Sequence, residues 1–393
     1  MDSLGLYIQV PFCASKCSFC NFSSRVARRD VYDRYCQALA TELERLPEFY
    51  RASSIGENVL EIPVDSAYLG GGTPSLLESV RLEKLATAIQ QRFQFGSKPE
   101  FTIEVTPGSA DESFLQHIRR LGINRLSIGA QSFLDRELRS VGRLHSGEDT
   151  RALVRTARAQ GFANISLDLI AGLPHQTEAS WSESVQSLIA LRPEHVSVYL
   201  FEIDEKSRLG SEVLKHGVHY HAGSLPDEDF VADAYDHARE SLREAGYLQY
   251  EISNYALPGY ESRHNRKYWQ LQPYLGLGAG AHSCDGQSRW ENVTAVEEYQ
   301  SRLEHGQSPI SERHRLTTKA QVEEFFFLGL RQTSGVNLAE AVDRWGGEHI
   351  ARLTARIDSL EEHGWLERRD GRLCLADKAL LLSNEIFQEF VSA

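Results

Sequence analysis

Cys13, Cys17 and Cys20 stand in the stretch VPFCASKCSFCNF, residues 10–22, and account for half of the chain's six cysteines. Thiolates are ligands for soft metal centres, so three of them this close together point to a metal site on a loop. Structural zinc sites use four ligands, commonly as two C-x2-C pairs. Here position 22 is Phe22 and no second pair occurs. Three thiolates can instead hold three irons of a [4Fe–4S] cluster and leave the fourth open to an outside ligand. An open iron implies chemistry rather than electron storage alone. Cys36, Cys284 and Cys374 are scattered and read as small apolar residues.

The loop follows a strand-like run, LYIQVPF (6–12), and five similar runs come after it: 66–72, 101–107, 125–133, 165–174 and 195–204. Between them lie stretches such as YDRYCQALATELERL and RLEKLATAIQQRF, whose apolar residues recur every three or four positions and predict amphipathic helices. Six strand–helix units predict a parallel α/β sheet or barrel. Gly70 to Thr73, Glu104, Gln131 and Asp168 all fall late in their strands or just after them. That is the end of a β/α barrel where chemistry is built. Six units rather than eight leave one side open to a large, flat substrate.

From about residue 315 the pattern changes to three helices followed by LERRDGRLCL, a strand pair with Asp370-Gly371 at its turn. This is a winged-helix-like outline. DNA binding by such a unit, as in a redox-sensing regulator, is disfavoured by RIDSLEEHG in its third helix and by the net charge of −13 over 393 residues. No run of about 18 apolar residues occurs, and MDSLGLYIQV lacks the pattern of a secretory signal, so a cytoplasmic location is expected and a disulfide framework is not.

The spacing C-x3-C-x2-C after a first strand resembles the signature of the radical S-adenosylmethionine enzymes. GGGTPS (70–75) resembles the family's glycine-rich segment. The resemblance implies a partial (β/α)6 radical-SAM barrel. It also implies a cluster on Cys13, Cys17 and Cys20 whose open iron is chelated by S-adenosylmethionine, which an electron from the cluster cleaves to a 5′-deoxyadenosyl radical. A finer resemblance, over nearly the whole chain, is to the branch containing oxygen-independent coproporphyrinogen III dehydrogenases and heme chaperones. By that resemblance Tyr7, Gly71, Gly72, Thr73, Glu104, Gln131, Arg143 and Asp168 contact S-adenosylmethionine. Their chemistry suits such a ligand, with carboxylates and an amide for an ammonium and ribose hydroxyls and a guanidinium for a carboxylate.

Two departures favour the chaperone side of that branch. The dehydrogenases carry C-x3-C-x2-C-x-C and an N-terminal extension, whereas this chain has Phe22 and begins its first strand within six residues. In RHNRKYWQLQPYLGLGAGAHS (263–283), His264, Asn265, Tyr268 and Trp269 match an HNxxYW heme motif, with His282 a weaker candidate. Imidazole is a common axial ligand of heme iron, and Tyr and Trp offer flat apolar area. The resemblance then implies residues 1–295 as the barrel with the heme-motif segment and 296–393 as a HemN-type C-terminal domain. Heme would be cargo, passed to acceptor apoproteins such as respiratory enzymes. A reductant, peripheral membrane contact and a cluster-dependent dimer are further expected partnerships, nucleic acid is not, and enzymatic activity is left open. The rival readings are a coproporphyrinogen dehydrogenase and a radical methyltransferase.

Overall fold

A computed structural model describes residues 3–51, 53 and 58–391. Its centre is six parallel strands paired in chain order: β1 (Leu4–Val10), β2 (Val64–Gly71), β3 (Phe95–Val105), β4 (Arg125–Gln131), β5 (Ile165–Ala171) and β6 (His195–Leu200). Successive side chains of a strand point to opposite faces, and these strands use the two faces differently. Leu6, Ile8, Ala67, Leu69, Ile103, Leu126, Ile128, Leu167 and Val196 are fully buried in the main apolar core. The alternate positions, Tyr7, Gln9, Ser66, Tyr68, Thr102, Glu104, Arg125, Ser127, Asp168 and Ser197, are polar. They give the barrel a polar interior.

Helices α1 (Arg29–Glu44), α2 (Leu46–Phe49), α3 (Ser79–Arg92), α4 (Glu112–Arg120), α5 (Asp135–Ser140), α6 (Gly147–Ala159) and α7 (Glu178–Leu191) connect these strands. Their ends are chemically specified. Asp111 accepts from the Phe114 amide at the start of α4, and Ser146 with Asp149 forms a capping box at the start of α6. The six strand–helix units expected from the sequence are present, with the strands adjacent in order.

The sheet continues beyond them on both sides. After α8 (Arg208–Leu214) and α9 (Glu228–Glu244), the short β7 (Leu248–Gln249) and β8 (Asn254–Ala256) extend the β6 edge with antiparallel pairing. Past α10 (Arg263–Trp269), β9 (Tyr274–Leu277) lies parallel beside β1. Then β10 (His282–Cys284), β11 (Ser288–Asn292) and, after α11 (Val296–Glu304), β12 (Ile310–Arg315) complete a twelve-stranded sheet. Buried Glu42 of α1 ties this extension down: it accepts from Tyr50, Asn292 and Tyr299 and from the Gly278 amide.

The last unit contains α12 (Thr318–Gly329), α13 (Leu338–Trp345), α14 (Gly347–Ala351), α15 (Thr354–Glu362), the hairpin β13 (Leu366–Arg369) and β14 (Arg372–Leu375), and α16 (Ser383–Val391). Asp370 at φ 50° and Gly371 at φ 77° make its two-residue turn, as the sequence suggested. Four helices precede the hairpin rather than three, because Gly346 at φ 89° splits one apolar stretch in two. This unit has its own core around Val322, Phe326, Leu360 and Phe390. Val296, Tyr299 and Leu303 belong to the barrel core instead, and β12 pairs with β11. Among the described residues no helix is long and apolar enough to cross a membrane.

Candidate functional site

The cysteine loop is closed at its neck. The Cys13 amide donates to the Arg25 carbonyl at 2.9 Å, and the Arg25 amide donates to the Pro11 carbonyl at 2.9 Å. Inside the loop, Lys16 donates to the carbonyls of Phe22 and Ser24, and Asn21 donates to Asp204. The Ser18 amide donates to the Val141 carbonyl and the Leu209 amide to the Ser18 carbonyl, so the loop is held from two neighbouring segments. Cys13, Cys17 and Cys20 are all free and half-buried, and Phe22 projects into solvent, 67% exposed. Burial raises the Cys20 pKa, and the neighbouring thiols add to this, a crowding that bound iron would reverse by favouring thiolates. The thiols do not converge on one ion-sized point among the described residues. A cubane, unlike zinc, takes thiolates spread over separate irons, so the loop fits a cluster.

Next to the loop lies the glycine segment. A Cβ on Gly72 would stand 2.5 Å from the Phe12 carbonyl oxygen. The Gly72 amide donates to the Val10 carbonyl and the Thr73 amide to the Phe12 carbonyl, so β2 and the start of the cysteine loop touch backbone to backbone. Gly71 has φ 109°, and its amide donates to the Glu104 carboxylate at 2.9 Å. Tyr68 donates to the other Glu104 oxygen at 3.0 Å.

Burial pushes the Glu104 carboxyl up to about 7 and that of Asp168 up to about 6; the charge on Asp168 raises Glu104 further. Burial disfavours the charged forms of both carboxyls despite the donors and cations around them, so a further positive charge and further donors would be favourable here. The ammonium and ribose hydroxyls of S-adenosylmethionine would supply both. Gln131 sits at φ 67°, a left-handed conformation for a residue with a side chain, at a register break between β4 and β5. Arg143 reaches back from the loop after α5 to the Gly129 carbonyl, at 2.6 Å, and the Cys17 thiol, at 3.7 Å. Its Nε is buried without a partner, so the guanidinium retains a donor for a carboxylate. Seven of the eight residues expected to meet S-adenosylmethionine thus gather at the carboxyl ends of the strands. Tyr7 lies deeper, donating to Gln9 and stacked on Tyr68.

The HNxxYW residues lie elsewhere. They form α10, whose His264 is 1% exposed, with Nδ1 3.2 Å from the Ser66 hydroxyl and Nε2 2.8 Å from the Tyr268 hydroxyl. Burial lowers the His264 pKa to about 3, so the ring is neutral. Glu100 accepts from the amides of Arg263 and His264 at the start of the helix, and buried Lys267 pairs with Asp65. Asn265 is joined through its amide to Ser262, and Trp269 lies under the Arg331 guanidinium at 4.6 Å. His282 is exposed and pairs with Glu291.

Tyr68, Arg125 and Ser197 were not singled out from the sequence. Tyr68 holds Glu104, Ser197 stabilises ionised Asp168, and Arg125 is a buried cation among them with no hydrogen bond at Nε. The alternation of polar and apolar residues along β2, β4 and β6 carried the signal that would have found them.

A polar barrel with a three-thiol loop beside a glycine cradle defines a radical S-adenosylmethionine protein. Residues 7–188 match the Radical SAM superfamily and residues 316–382 the HemN C-terminal domain. The chain is 33% identical over 386 residues to the heme chaperone HemW of Bacillus subtilis, covering 98% of each. It is 33% identical over 283 residues to that of Escherichia coli, covering 72% of this chain and 70% of the other. A solved structure of Escherichia coli coproporphyrinogen III oxidase, HemN, superposes with a TM-score of 0.85 over 100% of this chain and 90% of that one, at 23% identity, a likeness of fold. The chain belongs to the HemW family. Its [4Fe–4S] cluster and its S-adenosylmethionine follow from the superfamily.

Proposed function

We propose that this chain is a heme chaperone that binds heme and delivers it to acceptor apoproteins. The near-full-length kinship with the HemW proteins carries this reading. When bound, the cluster supplies one-electron chemistry to S-adenosylmethionine; the chain's own residues hold and orient both. Cys13, Cys17 and Cys20 hold three irons, and Arg143 sets its positive charge beside Cys17. Glu104 and Asp168 take the ammonium and ribose, Gly71, Gly72 and Thr73 admit the methionyl backbone, and Gln131 offers its amide. Tyr7 supports this set from below through Gln9.

His264, Asn265, Tyr268 and Trp269 form the proposed heme motif. Both ring nitrogens of His264 are engaged, so α10 must withdraw from Ser66 before this histidine can meet iron. The protein is proposed to act in the cytoplasm, with a reductant for the cluster, a cluster-dependent dimer, peripheral membrane contact and respiratory apoproteins as recipients. The test is anaerobic reconstitution followed by heme addition. Heme passing to an apo-acceptor without decarboxylation of coproporphyrinogen III supports the chaperone; vinyl product at catalytic turnover replaces it with a dehydrogenase.

A further inference from the structure

The only histidine of the HNxxYW segment is enclosed, whereas the barrel mouth carries imidazoles in the open. The segment KHGVHYHAG, residues 215–223, brings His216, His219 and His221 together in the connection between α8 and α9. His216, Tyr220 and His221 adopt φ of 54°, 56° and 62°, and His175, across from them after β5, adopts 69°. Four bulky residues in the left-handed region, within two adjoining segments, hold these rings in fixed places at a cost in backbone energy. The segments are joined by the His175 amide, which donates to the Ser224 carbonyl at 2.8 Å, and by the rings themselves, His175 Nε2 lying 3.2 Å from His221 Nδ1.

The surroundings match an amphiphilic macrocycle. Val218 is 80% exposed and Leu214 57%, with Tyr220 also exposed beside them in sequence. Lys206 and Lys215 line a cavity of about 400 Å³ with Leu214 and Ser211; Glu205 is the one acid on its wall among the described residues. An imidazole, flat apolar area and two ammonium groups are what an iron porphyrin with two carboxylate arms requires. This same end of the barrel carries the cysteine loop, to which α8 is bonded through Leu209 and Ser18.

We propose, building on the chaperone reading, that heme docks at this mouth with its iron on His221 and its carboxylates toward Lys206 and Lys215. This mouth is where heme first docks, ahead of the α10 motif, which stays closed while Ser66 and Tyr268 engage His264. Arg136 sets the resting state. Its Nη2 lies 3.1 Å from His175 Nδ1, and arginine only donates, so His175 Nδ1 accepts and its proton sits on Nε2, facing His221. A histidine that ligates iron through Nε2 donates its Nδ1–H to a neighbour. Docking therefore reverses the pair: His221 Nδ1–H donates to His175 Nε2, the His175 proton moves to Nδ1, and exposed Arg136 swings away. Each ring keeps one proton, that of His221 passing from Nε2 to Nδ1, and the iron–nitrogen bond replaces a water or hydroxide that leaves the iron, without redox change.

The test uses the full-length reconstituted protein titrated with hemin, read by absorbance and by electron paramagnetic resonance for the imidazole signature. His221→Ala should lose the signature and weaken binding about tenfold or more, and His175→Ala should weaken it by about tenfold. Arg136→Gln should tighten binding roughly threefold, because it frees His175 Nδ1 without touching heme. Replacing Lys206 and Lys215 together by Gln should weaken binding about fivefold. Unchanged spectra and affinities in His221→Ala and Arg136→Gln, with the signature lost in His264→Ala, would overturn this site and leave the chaperone standing. Wild-type protein that takes up no hemin would overturn the chaperone reading itself.

Discussion

The guanidinium of Arg143 stands between the Cys17 thiol, 3.7 Å away, and the Gly129 carbonyl, 2.6 Å away. One cation thus fixes the metal loop to the end of β4 and faces the place where an acidic group of S-adenosylmethionine would sit. Arg143→Lys keeps the charge but loses the planar fork that makes two such contacts at once. We expect S-adenosylmethionine affinity to fall about tenfold in this variant, by calorimetry on the reconstituted protein, with cluster content retained. Affinity equal to wild type would remove Arg143 from the pocket.

Replacing Cys13, Cys17 or Cys20 singly by Ala should abolish the cluster's visible absorbance and its iron and sulfide content after anaerobic reconstitution. Cys36→Ala should retain all three signals, since its thiol is pushed by burial up to about 11 and lies on α1, outside the loop. Full iron in any of the three loop variants contradicts the ligand assignment.

Gly72→Ala should be disproportionately damaging for a single methyl. The new carbon would meet the backbone of Phe12 at 2.5 Å, and backbone cannot step aside as a side chain can. Loss of about 1–3 kcal/mol in denaturant unfolding is expected, with poorer cluster retention because Phe12 adjoins Cys13. A fully stable variant with intact cluster would show that this approach is not needed.

The pH dependence follows from Glu104 and Asp168, whose carboxyls are raised to about 7 and about 6. Both must be ionised to hold an ammonium, so affinity for S-adenosylmethionine should rise from about pH 5.5 to about pH 7.5, by at most about tenfold per pH unit for each acid. Stability of the unliganded chain should run the other way. The folded state binds more protons than the unfolded one between the ordinary carboxyl range near about 4 and these raised values, so these acids make it less stable as pH rises through that window. Calorimetric titrations and urea midpoints across about pH 5–8 give both slopes. Asp168→Asn should flatten the binding slope, and an unchanged profile would show that Asp168 does not face the ligand.

Much of this arrangement was legible in the sequence because it is local. The cysteine spacing, the glycine run and six strand–helix alternations each lie within a few tens of residues, and the strands found differ from those expected by a few residues at their ends. The sheet's extension was not legible: β7, β8 and β10 have two or three residues each, too short for a period, and become strands only because β8, β6 and β9 respectively offer backbone beside them. The enclosure of His264 was hidden for a similar reason. Its partner Ser66 lies 198 residues away along the chain, and a seven-residue helix gives no sign of which face it buries. The Glu42 network, joining α1 to residues 276–299, is likewise non-local.

Helix α10 touches two bodies at once. His264 and Tyr268 face the barrel interior beside Tyr7 and Tyr68, while Trp269, covered by Arg331, and the adjoining Gln270 are bonded to Gln332 of the C-terminal unit. A ligand that shifts this helix from within changes the energy of every contact on its far side, and linkage makes the effect reciprocal. An acceptor gripping the C-terminal unit and a ligand filling the barrel would then each alter the affinity for the other by the same factor, so that recognition of the recipient and release of the cargo become a single equilibrium.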